Sequence, residues 1–229
     1  MKKVLLYSGG LDSFCLSKLY KPDIHLYLST GTIDNNRELD KLQSSIKKLT
    51  IVDISFLQQY ELTNKIIPFR NTFFILIAAQ YGNIIYLGAT AGDTTKDKDY
   101  VFQNQISSLL NYFGLDKDKL SIVDYPYKVE LPFKELTKTQ IVAEYLIANN
   151  TVEDLLINSR SCYDGEEKEC GLCRACLRKA IALVNNNIDI DSIFTNNPFD
   201  NIDEDTHMKM LTRDKESKDY IQALERIKL

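Results

Sequence analysis

The fold is decided by Val4-Leu5-Leu6-Tyr7-Ser8-Gly9-Gly10-Leu11-Asp12-Ser13, an apolar run that passes through two glycines into a helical pattern. This order predicts a buried strand, a tight turn and a helix, the first unit of an α/β protein. Glycines let the backbone approach a ligand closely, and the N–H groups that open a helix favour an anion. The stretch therefore predicts a phosphate-binding loop, with Ser8, Gly9, Gly10, Leu11, Asp12 and Ser13 as candidate residues.

Strand and helix patterns alternate after this loop. Buried strands separated by helices form a parallel sheet that is covered on both faces. The sequence therefore predicts an α/β fold with a five-stranded parallel, Rossmann-like sheet, and ligands at the carboxyl ends of its strands. The further predicted strands are residues 24–28, 51–54, 84–87 and 120–123, and the further predicted helices are residues 37–49, 68–82, 100–113 and 137–150.

Composition and charge narrow the class of protein. The 229 residues are 44% apolar and carry a formal net charge of -4. Proteins held on nucleic-acid phosphates are usually basic, so the charge favours a small-molecule substrate and no nucleic acid is expected. The N-terminus does not resemble a signal peptide, and the longest apolar run, residues 73–79, is too short to span a membrane. We therefore expect a cytoplasmic protein without a membrane partner and with reduced cysteines.

The chain divides into three predicted parts. Residues 1–158 hold the predicted sheet, residues 159–186 hold a cysteine cluster and a helix, and residues 187–229 form an acidic tail. The tail has ten acidic and six basic side chains and a predicted helix at residues 217–227. Two interpretations stay open: an appendage packed on the domain or on a partner subunit, and a partly disordered tail.

Four cysteines within 15 residues form a candidate metal site. Four thiolates can close a tetrahedral site around one ion, and glycines at positions 165 and 171 allow the tight turns that this requires. Zn²⁺ suits four sulfur ligands with no open position, so the site would be structural. An iron–sulfur cluster and free surface cysteines are the alternatives, and Cys15 is expected to pack in the core. The candidate ligands are Cys162, Cys170, Cys173 and Cys176.

The loop at residues 8–13 resembles the PP-loop of the N-type ATP pyrophosphatases. That family has an adenine nucleotide α-hydrolase-like fold and cleaves ATP between its α and β phosphates. No Gly-Lys-Ser/Thr follows, so the loop is not a Walker A motif, and a kinase or GTPase is disfavoured.

The loop at residues 8–13 and the four candidate metal ligands together resemble the QueC family, the 7-cyano-7-deazaguanine (preQ0) synthases. The resemblance covers about residues 4–183. The strongest likeness is in Ser161-Cys162-Tyr163-x-Gly165 and Cys170-Gly171-x-Cys173-x-x-Cys176-x-Arg178. Further likeness lies in Pro68-Phe69-Arg70-Asn71, in residues 88–93 and in residues 131–138.

The resemblance implies an ATP-dependent C–N ligase of queuosine and 7-deazapurine biosynthesis. ATP would adenylate the carboxylate of 7-carboxy-7-deazaguanine, ammonia would displace AMP to give an amide, and a second ATP would lead to the nitrile. It also implies Mg²⁺ with ATP, structural Zn²⁺ and a homodimer.

The roles that the resemblance implies fall on five residues. Asp12 would order the loop or a metal ion, while Arg70 and Lys138 would stabilise phosphate charge as further catalytic residues. Asp93 and Lys96 would line the substrate side. The alternatives are a helix-start ion pair for Arg70, a solvated helix charge for Lys138 and turn chemistry for Asp93. Arg178, by contrast, is expected to pack or pair beside the cysteines.

Two segments depart from the family pattern. Residues 29–36, Ser-Thr-Gly-Thr-Ile-Asp-Asn-Asn, replace a Tyr-Gly-Gln-Arg-His run, and residues 93–100 replace an Asp-x-Ser-Gly-Tyr-Pro-Asp-Cys-Arg run. Both follow strands, where substrate is expected. Three alternatives therefore stay open: an amide-forming ligase on another carboxylate (a different 7-deazapurine or a protein-linked one), a tRNA-modifying PP-loop enzyme and a non-catalytic nucleotide-binding subunit.

Overall fold

The computed structural model describes residues 1–42, 48–114, 126–162, 168–200 and 202–227. The chain forms two compact units that are interleaved along the sequence. The first unit is Met1–Ser8, Tyr20–Ala89 and Thr94–Pro132, and the second is Gly9–Leu19, Thr90–Asp93 and Phe133–Leu229. The predicted division into residues 1–158, 159–186 and 187–229 stays a prediction.

The first unit contains the predicted five-stranded parallel sheet. Its strands are β1 (Lys3–Leu6), β2 (Ile24–Ser29), β3 (Leu49–Asp53), β4 (Ile84–Tyr86) and β5 (Lys128–Glu130), in the order β3-β2-β1-β4-β5. The strand order reverses at β1, because the chain runs outward to β3 and then returns to the other side of β1 as β4. Parallel sheets bind their ligands at the carboxyl ends of the strands beside such a reversal. The loop that follows β1 therefore begins at the expected place.

Helices connect and follow these strands. The core of the first unit is built from strand residues such as Val4, Ile85 and Val129, packed with Ile75 and Ile106 from two of the helices. In the described ranges the helices are α1 (Leu11–Tyr20), α2 (Ile33–Leu42), α3 (Arg70–Ala78), α4 (Tyr100–Gly114), α5 (Lys138–Ile147), α6 (Val152–Asn158), α7 (Arg174–Asn185), α8 (Glu204–Leu211) and α9 (Asp214–Ile227), with short 3-10 turns at Ser55–Tyr60 and Lys96–Lys98.

The predicted helix at residues 37–49 is wrong at both ends. Thr32 Oγ1 accepts a hydrogen bond from Asn35 N at 3.4 Å, so α2 begins four residues earlier, at Ile33. Leu49 is instead the first residue of β3, where it pairs with His25 of β2. The helix predicted at 68–82 is shorter in the structure, at Arg70–Ala78, and the helix predicted at 100–113 is confirmed.

The fifth strand of the described sheet was not predicted. The strand predicted at residues 120–123 lies outside the described residues. β5 follows at Lys128–Glu130, where only Val129 is fully buried. Two charged residues around one valine do not form an apolar run, so the pattern did not indicate this strand.

A polar network connects α2 to β2 in the first unit. Asn35 Nδ2 donates to Tyr27 Oη at 2.6 Å, and Tyr27 Oη lies 2.8 Å from Asn35 O and 3.0 Å from Glu38 Oε2. A tyrosine hydroxyl has one proton and can donate to only one of these two oxygens. A protonated Glu38 satisfies both, because it donates to Tyr27 while Tyr27 donates to the Asn35 carbonyl. Burial raises the pKa of Glu38 to about 7, although the hydrogen bond from Tyr27 and the positive charge of Arg70 both act to lower it.

The named secondary-structure elements in the described part of the second unit are helices. The predicted capping box opens α5, where Gln140 N donates to Thr137 Oγ1 at 3.3 Å and Thr137 N donates to Gln140 Oε1 at 2.9 Å. Cys15 is fully buried, as predicted. No helix in the described part of the chain is long and apolar enough to cross a membrane.

The described part of the acidic tail is folded in the second unit. Met210 of α8 and Tyr220 and Ala223 of α9 pack against Leu177 and Ile181 of α7. The packed appendage is therefore the correct interpretation for residues 202–227. The helix predicted at 217–227 is confirmed as α9, which begins at Asp214, and α8 was not predicted.

Candidate functional site

The glycine loop that leads into α1 is shaped by local hydrogen bonds. Gly9 has a φ of +71°, which residues with a side chain rarely adopt, and its carbonyl accepts from Arg160 N at 2.8 Å. Ser13 Oγ donates to Gly10 O at 3.1 Å, and the side chain of Leu11 is buried. The first turn of α1 therefore offers an anion its backbone N–H groups and positive helix end, rather than the Leu11 side chain.

Asp12 of this loop forms an ion pair with Lys138, the first residue of α5. Lys138 Nζ contacts both carboxylate oxygens and lies 2.6 Å from Oδ2. The two side chains are only 23% and 13% exposed, so Lys138 is not a solvated helix charge. The second unit thus brings together two of the three residues that are predicted from the sequence to be catalytic.

The turn at residues 90–93 holds Asp93, a predicted substrate residue. Thr90 N donates to Asp93 Oδ2 at 2.9 Å, and Asp93 N donates to Thr90 O at 3.0 Å. Lys134 Nζ donates to the Asp93 carbonyl at 2.8 Å. Asp93 therefore does the turn chemistry that the sequence left open as an alternative, and its role in substrate binding stays a prediction.

The remaining predicted residues, Ser8, Arg70 and Lys96, belong to the first unit. The Arg70 guanidinium lies 5.7 Å from the centre of the Phe74 ring. Lys96 has a side chain that is 98% exposed, with Nζ 3.9 Å from Asp99 Oδ2. The roles of these three residues in binding or catalysis stay predictions.

The four predicted metal ligands lie together in the second unit. Their Sγ atoms are all within 4.8 Å of one another, with Cys173 and Cys176 at 3.4 Å and Cys170 and Cys176 at 3.8 Å. A tetrahedral ion with metal–sulfur bonds of about 2.3 Å places its sulfur ligands about 3.8 Å apart. An iron–sulfur cluster would hold the thiolates farther apart, because iron and sulfide atoms lie between them. The cysteines are therefore positioned to bind a single metal ion.

Gly171 and a segment that follows the cysteines stabilise the backbone around this cluster. Gly171 has a φ of +74°, and a Cβ atom there would lie 1.7 Å from the Asn196 carbonyl oxygen. Asn196 Nδ2 donates to Cys170 O at 2.8 Å, and Glu169 forms a parallel bridge with Phe194. The glycine turn predicted at 171 is thus confirmed, while position 165 lies outside the described residues. We use the name cysteine knuckle for the described residues 162 and 168–176.

A buried ion pair beside the cysteine knuckle was not predicted. Lys179 of α7 and Glu169 are paired, and their side chains are 1% and 5% exposed. Lys179 Nζ also donates to Ser159 O at 2.6 Å, and Glu169 Oε2 accepts from Ser161 N at 3.2 Å. Both residues read as ordinary charges in the sequence, because no motif or spacing marks a buried pair.

Arg178 pairs beside the knuckle, as the sequence predicted. Its Nη2 atom lies 2.6 Å from Glu216 Oε1 of α9 and 3.3 Å from Thr90 Oγ1. Arg213 Nη1 lies 3.0 Å from the other oxygen of Glu216, which is buried. The partner was missed because Glu216 lies 38 residues further along the chain, in a tail without a recognisable motif.

Comparison with known proteins gives a consistent set of relatives. Residues 26–187 match the family described as queuosine biosynthesis protein QueC. A 7-cyano-7-deazaguanine synthase of Campylobacter hominis is 27% identical over 212 residues, which cover 77% of this chain and 91% of that protein. Synthases of the same name from Sulfurovum sp. and Prochlorococcus marinus are 26% and 28% identical, each over 76% of this chain and 90% and 89% of their own length. The family match includes all four cysteines and ends before α8 and α9.

Proposed function

The chain belongs to the QueC family of queuosine biosynthesis proteins, and on that premise we propose that it is an ATP-dependent C–N ligase that makes 7-cyano-7-deazaguanine. Its substrates would be 7-carboxy-7-deazaguanine and ammonia. The pair formed by Asp12 and Lys138 is the observation that carries the proposal. These residues lie 126 positions apart, in two segments that the sequence resemblance assigns separately to ATP use.

The phosphates of ATP would lie against the first turn of α1. Backbone N–H groups and the helix dipole stabilise negative charge there. Lys138 adds a positive charge that Asp12 holds in one position, and this charge would stabilise pyrophosphate as it leaves. Mg²⁺ bound with ATP would neutralise phosphate charge, and Asp12 supplies carboxylate oxygens of the type that it prefers.

The proposed reaction has two activations. A carboxylate oxygen of the substrate attacks the α-phosphorus of ATP, and pyrophosphate leaves. Ammonia then attacks the acyl carbon, loses a proton and displaces AMP to form the amide. The amide oxygen attacks a second ATP in the same way, and departure of AMP with loss of both amide protons leaves the nitrile. The acyl-adenylate must be kept from water, which would return it to the carboxylate.

The four cysteines would hold Zn²⁺ in a structural role. A closed set of four thiolates leaves no position for substrate, and the ion would fix the geometry between residue 162 and the start of α7. The homodimer that the resemblance implies and the cytoplasmic location predicted from the sequence belong to the same proposal. Light scattering of the pure protein measures the first, and fractionation of cells measures the second.

A second candidate is a PP-loop ligase that forms an amide on another carboxylate. It is favoured by the two predicted substrate residues, because the Asp93 carboxylate is bound within its own turn and Lys96 lies beside Asp99 on the surface of the first unit. Both residues belong to the segment that departs from the family pattern.

One incubation separates the two candidates. The pure protein is mixed with ATP, Mg²⁺, ammonium and 7-carboxy-7-deazaguanine, and AMP, amide and nitrile are measured by mass spectrometry. Formation of the nitrile with two AMP per product supports the first candidate. Accumulation of the amide alone, or AMP formation only with a different carboxylate, supports the second. Absence of ATP turnover with any carboxylate contradicts both and favours a non-catalytic nucleotide-binding subunit.

A further inference from the structure

Arg178 lies where charged groups of the second unit converge. Its side chain is 15% exposed, and its electrostatic partners include Asp12 of the loop and Asp93 of the turn at residues 90–93, in addition to Glu216. This largely buried cation therefore interacts electrostatically with the acidic residues of both segments. The proposed reaction steps assign no role to this charge.

The guanidinium also has hydrogen-bonding capacity beyond its two described bonds. Nη2 donates to Thr90 and Glu216, while Nε is buried and has no acceptor among the described residues. Buried N–H groups in proteins are nearly always bonded to protein, water or ligand. The side chain is still 15% exposed, and an anionic ligand oxygen that reached the guanidinium would meet a fixed positive charge with unused donors.

Glu216 determines the position of Arg178. Its carboxylate bridges Arg178 and Arg213, and it packs so closely on Gly92 that a Cβ atom at that position would lie 2.1 Å from Glu216 Cδ. The bare Cα of Gly92 thus makes room for the carboxylate. Glu216 belongs to α9, beyond the residues that match the family.

We propose that Arg178 contacts an anionic oxygen of the bound ligand and that Glu216, from the C-terminal helix, is its positioning residue. The inference rests on the proposed function, which supplies two sources of such an oxygen: a phosphate of ATP and the carboxylate of the second substrate. The C-terminal segment is then a part of the site and not only an appendage.

The test measures ligand binding by the full-length protein. Calorimetry with magnesium–ATP and, separately, with 7-carboxy-7-deazaguanine compares the wild type with Arg178→Lys, which keeps the charge but loses the planar donors. We expect about tenfold or greater weakening for one ligand, and the affected ligand identifies the source of the oxygen. In turnover, KM for that ligand rises more than kcat falls. A folded Arg178→Lys protein that binds both ligands within about twofold of wild type overturns the proposal.

Glu216 is tested by three substitutions and a control. Glu216→Gln and Gly92→Ala should weaken binding of the same ligand as Arg178→Lys, and Glu216→Asp should restore part of it. Glu225→Gln makes the same change at an exposed position of α9 and should have no effect. Equal binding by Glu216→Gln and wild type overturns the positioning role.

Folding of each variant is checked by metal content and thermal melting. If Glu216→Gln does not fold, the double variant Arg178→Met with Glu216→Leu removes both charges of this pair and leaves Arg213, whose side chain is 19% exposed, without Glu216. A folded double variant with wild-type binding also overturns the proposal.

The outcomes for the two proposals are separable. A wild-type protein that binds both ligands but forms no AMP contradicts the proposed function. The binding affinities of the Arg178 variants then still decide the inference. A wild-type protein that forms nitrile, with Arg178 variants that bind normally, overturns the inference alone. A wild-type protein that binds neither ligand overturns both.

Discussion

The buried carboxyl group of Glu38 should make the stability of the protein depend on pH in an unusual direction. Its pKa is raised from the ordinary value of 4.5 to about 7 by burial, which outweighs the lowering effects of the Tyr27 hydrogen bond and the Arg70 charge. The folded state then binds the Glu38 proton more tightly than the unfolded state. The resulting stabilisation of the folded state is fully present below about pH 4.5 and is lost as pH rises through about 7.

The size of the effect follows from the two pKa values. A difference of about 2.5 pKa units corresponds to about 3 kcal/mol in full, of which about 2.5 kcal/mol is lost between about pH 5 and about pH 8. Glu38→Gln removes the titration but retains an N–H donor for Tyr27. We therefore expect the free energy of unfolding of the variant, relative to wild type, to improve by about 2.5 kcal/mol over this range.

The measurement is denaturant unfolding of both proteins at several pH values. Other groups titrate equally in the two proteins, so the difference between the two curves isolates Glu38. Parallel curves between about pH 5 and about pH 8 would refute the reasoning, because they would show that the carboxyl group titrates alike in the folded and unfolded states.

Three further substitutions test the site and its frame. Asp12→Ala should abolish AMP formation while the protein stays folded, and near-normal turnover would contradict the loop assignment. Cys173→Ser should reduce bound metal and thermal stability, so unchanged metal content by elemental analysis would contradict the four-cysteine site. Lys179→Met leaves Glu169 buried without its cation and should destabilise the second unit by about 3–5 kcal/mol, with recovery when Glu169→Leu is added. Equal stability of the single and double variants by denaturant unfolding would contradict the account of this pair.

The sequence predicted those parts of the protein whose signals are local. The loop after β1 is marked by consecutive residues, the cysteine knuckle by its spacing, and α5 by the capping box that begins at Thr137. Each of these features places its determinants within a few residues of one another. Their secondary structure or ligand cluster could therefore be read without knowledge of the rest of the fold.

The parts that were missed depend on distant pairing. Leu49 completes a helical pattern in the sequence, yet it forms a strand because β2 offers it a neighbour. Glu216 and the buried pair formed by Lys179 and Glu169 are ordinary surface residues by composition. Only the packing of α7 with α9 and with the segment before it removes them from water, and no single-sequence pattern reports such packing.

The interleaving of the two units has a consequence for the order of folding. Residues 9–19 belong with residues 133–229, and the loop is held through Gly9 by Arg160 and through Asp12 by Lys138. Contacts at such separation form slowly, since the chain between them must first be ordered or looped out. During synthesis the loop would leave the ribosome early, and its final contacts would form only after α5 and the segment at Arg160 had been made. A growing chain would therefore complete this loop late, after most of the parallel sheet has been made.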